Sequence, residues 1–82
     1  MKLVITEKAE KDLSRLDKKI CRRIRDTLEN LIINPGSVDL IKMHGFSDRW
    51  RLRVGNYRVL LKITGKEVTV YALRVKHRRE AY

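Results

Sequence analysis

From residue 49 to residue 62 the chain alternates between apolar and cationic positions, broken by Gly55-Asn56 and again at Leu60. An apolar–polar period of two is that of a strand with one face covered. Gly-Asn between two such runs supplies the positive φ angles of a tight hairpin. With Gly55 and Asn56 as the loop, Val54 faces Tyr57, Leu52 faces Val59 and Trp50 faces Leu61, all on one apolar face. The other face sets Arg53 opposite Arg58, Arg51 opposite Leu60 and Arg49 opposite Lys62. Like charges directly opposed across a strand pair are destabilising. Five cations gathered on one strand-pair face therefore point to a polyanion that meets it.

The period changes upstream. Lys2-Leu3-Val4-Ile5 is a short β-rich run. Thr6 then offers a helix cap, with Glu7 and Glu10 in the first turn, where the helix dipole favours carboxylates. Ala9, Leu13 and Leu16 recur at helical spacing, Asp17 marks a joint or second cap, and Ile20, Ile24, Leu28 and Leu31 form a second stripe, with Thr27 and Ile32 beside it. The opposite side of this second helix carries Lys18, Lys19, Arg22, Arg23 and Arg25, which reads as a solvated face or, alternatively, as a docking surface for nucleic acid or an acidic partner. Asn34-Pro35-Gly36 ends the helix. Residues 37–48 are weakly patterned. Leu40, Ile41 and Met43 suit a short extended piece, and Lys42, His44, Gly45 and Asp48 suit a loop.

After Ile63, Gly65-Lys66 gives a second turn signal and residues 67–75 a third strand. That turn places Val68, Val70 and Ala72 on the apolar face. It places Thr69, Tyr71 and Leu73 on the cationic one, with Leu73 opposite Arg58 and Tyr71 opposite Leu60. The pattern predicts an α+β fold: an N-terminal strand, an α-helical hairpin, then a three-stranded antiparallel meander, all in one sheet. Residues 1–82 are expected to form a single domain.

Composition sharpens the electrostatic point. Lys plus Arg number 20 against 10 Asp plus Glu, a net charge of +10 on 82 residues. Such a balance suits nucleic acid, an acidic protein or an anionic membrane surface. One cysteine, Cys21, allows neither an internal disulfide nor a cysteine metal cluster, and suits a reducing compartment. No signal peptide and no apolar run of spanning length is evident, so a cytoplasmic location without membrane association is expected. The histidines lack neighbouring ligands, the glycines are scattered, and no serine sits in a nucleophile arrangement, so no metal and no small-molecule cofactor is expected.

Arginines with a histidine or tyrosine can cleave RNA. The ribose 2′-OH is an internal nucleophile beside its own 3′-phosphate, so the substrate supplies proximity. Guanidiniums stay charged and match phosphoryl oxygens with paired donors. The candidate catalytic residues are Arg53 and Arg58, with His77 or Tyr82 as base; Arg49, Arg51, Lys62, Tyr71, Lys76 and Arg79 are candidate RNA contacts. Tyr71 amid arginines suits base stacking, or plain packing under arginine stems.

The run Trp50-Arg51-Leu52-Arg53-Val54-Gly55-Asn56-Tyr57-Arg58-Val59, followed by Val75-Lys76-His77-Arg78-Arg79-Glu80-Ala81-Tyr82, resembles the RelE/ParE superfamily of type II toxin–antitoxin toxins. The resemblance spans essentially the whole chain. It implies a RelE-like fold and a ribosome-dependent mRNA endoribonuclease (an mRNA interferase) neutralised by a cognate antitoxin, with ribosome and mRNA as its other partners. It implies that Arg51 and Arg53 contact and polarise the RNA, and that Arg58 stabilises the transition state. Arg78, or alternatively Arg79, would be acid or charge stabiliser, and Tyr82 the base. A ParE-like inhibitor of DNA gyrase and a non-catalytic RNA- or ribosome-binding module are the other classes that this sequence suits.

Overall fold

The computed structural model describes residues 1–65 and 68–80. Its elements run β1 (Lys2–Ile5), α1 (Glu7–Ser14), α2 (Lys18–Ile33), a 3-10 turn (Pro35–Ser37), β2 (Asp39–Lys42), β3 (Arg49–Val54), β4 (Tyr57–Thr64), β5 (Thr69–His77) and a second 3-10 turn (Arg78–Glu80). The strands form one 5-stranded sheet in the order β1-β5-β4-β3-β2. The α+β class and the meander β3-β4-β5 match the expectation. The sheet gains an extra edge strand, because the weakly patterned stretch 37–48 pairs with β3 in the register Asp39↔Arg53, Leu40↔Leu52, Ile41↔Arg51, Lys42↔Trp50. β1 closes the other edge, parallel to β5.

The helices cap as their sequences suggest. The Thr6 hydroxyl oxygen accepts from Ala9 N–H (3.3 Å), and the Asp17 carboxylate accepts from Lys19 N–H (2.8 Å). Their apolar stripes pack on one face of the sheet. Ala9 and Leu13 of α1 and Ile24, Leu28 and Leu31 of α2 bury against Leu52, Val54, Val59, Leu61, Val70, Ala72 and Val75. Each large side chain buried there contributes about 1.5–3 kcal/mol. Arg25 is solvated as expected, its side chain 41% exposed, but it is not idle. It crosses to α1 and binds Glu10 in a two-pronged pair, 3.0 and 2.8 Å, which ties the hairpin together. That hydrogen-bonded pairing holds the Glu10 carboxyl below its usual range.

The first hairpin has the expected register, Val54↔Tyr57 through Arg49↔Lys62, and Gly55 takes φ +58° in its turn. The second does not. Pairing ends at Thr64↔Thr69, so the connection has four residues, 65–68, rather than two. Lys66 and Glu67 lie outside the described residues, and Val68, expected on the apolar face, is exposed. Tyr71 therefore faces Lys62 instead of Leu60. A β-bulge then intervenes: Leu61 pairs with Ala72 but Leu60 pairs with Arg74, leaving Leu73 as the extra residue. One added residue exchanges the two faces for everything after it. Val75 thus enters the core, and Lys76, not Leu73, stands opposite Arg58.

Candidate functional site

The consequence is a row of charged residues across four strands on the face away from the helices: Asp39 on β2, Arg53 on β3, Arg58 on β4 and Lys76 on β5 are successive register partners. At the hairpin end of this row lies a cleft of about 410 Å³ lined by Asp39, Arg53, Gly55, Asn56, Arg58 and Arg78. Arg78 arrives because β5 runs back to the first turn, where its N–H donates to the Asn56 carbonyl at 2.8 Å. Three of the arginines singled out from sequence therefore share one cleft. Such a cluster presents paired N–H donors to a phosphoryl group from more than one direction.

Asp39 is the residue that sequence reasoning missed. It stands in the poorly patterned stretch, and only the β2–β3 register shows that it faces the arginines. Its Oδ2 lies 3.0 Å from Arg53 Nε, with both side chains substantially exposed (43% and 61%). At that exposure the pair adds little stability. Its interest is chemical, since it brings the one carboxylate among the cleft's lining residues into a nest of guanidiniums.

The remaining candidates are distributed more widely. Lys76 adjoins the cleft through its pairing with Arg58 and lies 3.8 Å from the Glu80 carboxylate. Arg51 stands one row away and lines a separate recess with Ile41, Lys42, Met43 and His44. Arg49, Lys62 and Tyr71 form a further row, four residues along the strands and so about 13 Å from Arg53–Arg58. Arg49 is neutralised in part by Asp48 at 3.0 Å. Arg79 is exposed in the final 3-10 turn.

His77 is not brought to the cleft. The bulge sends it to the helix-covered side, where it pairs with Tyr57, the two rings edge to face at 5.1 Å and 89°. Its Nδ1 accepts from Arg79 N–H at 3.2 Å, so the imidazole caps the turn that carries Arg78. Its sequence candidacy as a base rested on an imidazole, whose ordinary pKa is near neutral, lying in the tail just after the third strand. Tyr82, the other candidate base, lies outside the described residues. Among the described residues no group of three or more His, Cys, Asp or Glu is placed to hold a metal ion.

α2 reaches the cleft's rim. A side chain on Gly55 would lie 3.0 Å from Arg23 Nη1, so this guanidinium packs directly on the hairpin turn. Beyond it Lys18, Lys19, Arg22 and Arg23 line an open groove along α2.

The chain as a whole has counterparts among known proteins. The family described as "ParE toxin of type II toxin-antitoxin system, parDE" matches residues 3–82. The chain belongs to the ParE toxin family of type II toxin–antitoxin systems. Within that family's wider RelE-like group, it is 31% identical to Toxin RelE3 of Methanocaldococcus jannaschii, over 100% of this chain and 96% of the relative. The archaeal RelE–RelB complex from Pyrococcus horikoshii superposes with a TM-score of 0.74 at 32% identity, covering 98% of this chain and 97% of that one. The toxin–antitoxin complex RelBE2 from Mycobacterium tuberculosis gives 0.78 at 28% identity, with 94% and 96% covered. Among the described residues, no helix is long and apolar enough to cross a membrane.

Proposed function

We propose that this toxin is an endoribonuclease that cleaves mRNA at the ribosome and is silenced by a cognate antitoxin. The observation that carries the reading is the convergence of Arg53, Arg58 and Arg78, from two strands and the C-terminal turn, on one cleft with Asp39. The scissile phosphate sits among the three guanidiniums. Asp39 takes the proton of the 2′-OH. The 2′-oxygen bonds to phosphorus and the P–O5′ bond breaks. The leaving 5′-oxygen takes a proton from water at the open mouth of the cleft, and Asp39 later returns its own to solvent. The products are a 2′,3′-cyclic phosphate and a 5′-OH. The arginines act where charge grows, on the phosphoryl oxygens, and this is where preorganised donors count most.

The antitoxin half rests on the RelE relatives whose structures are toxin–antitoxin complexes. The open sheet face also suits such a partner. Half-buried Leu60 and Tyr71, with exposed Ile41, make an apolar centre among Arg49, Arg51, Lys62 and Lys76. An acidic amphipathic segment fits that face and excludes RNA from it.

The test is purified protein on ribosomes programmed with a defined mRNA, with the cleaved ends mapped and the terminal phosphate identified. Cyclic phosphate ends that require the ribosome support the reading. Intact mRNA at stoichiometric toxin refutes it. The ParE description of the matching family favours a second reading, inhibition of DNA gyrase. That reading predicts gyrase-linked breaks in supercoiled DNA and untouched mRNA.

A further inference from the structure

The cleft depends on a frame shift in β5, and one side chain outside the cleft holds the shifted segment. β1 pairs with β5 only as far as Ile5↔Ala72. Thr6 closes that ladder: its N–H donates to the Ala72 carbonyl at 3.1 Å, and its hydroxyl reaches the Ala72 and Leu73 carbonyls at 2.9 and 3.1 Å. Immediately beyond, where β5 has lost its parallel neighbour and Leu73 is the extra residue, Asp12 of α1 takes over. Its Oδ2 accepts from Val75 N–H at 2.8 Å and from Arg74 Nε at 2.9 Å, and its Oδ1 accepts from Arg74 Nη2 at 3.2 Å. Only 10% of the Asp12 side chain remains exposed, against 36% for Arg74. An acid on the first helix thus grips the two residues that follow the bulge.

We propose that Asp12 is a positioning residue for the cleft: it pins β5 in the bulged frame that puts Lys76 beside Arg58 and delivers Arg78. Without the extra residue, strand alternation would point Val75 outward and Lys76 toward the helices. In the shifted frame the Val75 N–H is the first beyond the end of β1 to turn to a side-chain acceptor, followed by that of His77, which donates to Glu80 at 3.3 Å. A half-buried N–H needs an acceptor, and Asp12 supplies it. The ion pair with Arg74 fixes the carboxylate in place. The catalytic consequence rests on the ribonuclease reading above, whereas the strand frame is measured independently of it.

The experiment compares Asp12→Ala and Asp12→Asn with wild type by NMR and by single-turnover cleavage on programmed ribosomes. In Asp12→Ala, the Val75 amide loses exchange protection and the Arg58–Lys76 cross-strand contacts weaken. The cleavage rate falls roughly 100-fold, as for a displaced active-site group, with little change in the mRNA concentration needed for half-saturation. Asp12→Asn keeps an acceptor oxygen for Val75 but no ion pair, so frame and cleavage persist while the melting temperature drops. Wild-type frame and rate in Asp12→Ala overturn the proposal, as does loss of cleavage in Asp12→Asn with the frame intact. Should Asp12→Ala fail to fold, the Asn variant decides alone: a protected Val75 amide with retained cleavage supports the proposal, and an unprotected amide with wild-type cleavage overturns it. If wild type itself cleaves nothing, the ribonuclease reading falls, and the NMR arm still accepts or rejects Asp12 as the pin of the frame.

Discussion

Replacing Arg58 with methionine separates chemistry from binding and from folding. Arg58 stands between Arg53 and Lys76 in the charged row and lines the cleft. Its side chain is half-buried, with Nε shielded from solvent, and lies outside the buried core cluster. Methionine preserves most of the aliphatic stem and removes the charge and the donors. With no core contact given up, the cost should stay near the ~1 kcal/mol typical of a point substitution. For a domain of this size that is about 4–8 °C in melting temperature. Binding loses one of four neighbouring cations, Arg53, Arg58, Lys76 and Arg78. The salt dependence should therefore become shallower by roughly one in the log–log slope, with association retained. Chemistry loses a donor aimed at the phosphoryl oxygens, and the rate constant should fall by about 10²–10³, or ~3–4 kcal/mol of transition-state stabilisation. Single-turnover cleavage on programmed ribosomes, with co-sedimentation for binding and thermal melting for the fold, reads all three. Wild-type cleavage refutes the assignment. A rate loss that merely tracks lost binding would reduce Arg58 to one cation among many.

Asp39→Asn keeps an oxygen for Arg53 but cannot take up a proton. Cleavage should fall by about 10²–10⁴, the range of a lost general base, while RNA binding holds or tightens because a negative charge has left the cleft; near-wild-type cleavage would leave Asp39 as a holder of Arg53. Gly55→Ala must adopt φ +58° and meet Arg23 Nη1 at 3.0 Å. The strained φ alone costs about 1–2 kcal/mol, to be read from urea unfolding; an unchanged midpoint would show that the turn relaxes to another type. For pH, burial pushes the Asp12 carboxyl up, but its bonds from Arg74 and Val75 N–H outweigh this and hold it below the usual range; Glu10 is lowered by Arg25. A depressed carboxyl contributes stability that is complete above its unfolded value and lost as pH falls through its folded one. Stability should therefore decline with acid below about pH 4, less steeply in Asp12→Asn. A decline equally steep in that variant would place the acid sensitivity elsewhere.

Alternation and helical spacing made most of this fold legible. Trp50, Leu52, Val54, Tyr57, Val59 and Leu61 declared one face of a hairpin, and Gly55-Asn56 fixed its register, because a two-residue loop leaves no freedom in pairing. Ile24, Leu28 and Leu31 likewise named the buried stripe of α2. The opposed pair Arg53–Arg58 followed at once, and with it the location of the cleft. Strand β2 was less legible. It is four residues long and mostly exposed, so burial imposes little pattern on it. Asp39 drew no notice because its significance lies in facing Arg53 across the sheet, a relation that no local spacing carries.

The site's remaining geometry turns on Leu73, and there local pattern misleads. Unbroken alternation along β5 puts His77 on the cationic face and Lys76 beneath the helices. The bulge reverses both, making His77 a cap beneath Tyr57 and Lys76 the neighbour of Arg58. Nothing between Thr69 and His77 breaks the strand by composition, since there is no glycine or proline to mark an irregularity. The frame is chosen instead by what it satisfies. Val75 gains a place in the core, and its N–H gains the Asp12 carboxylate, 63 residues away in sequence. A tertiary hydrogen bond from the first helix thus decides which side chains of the last strand face the cleft.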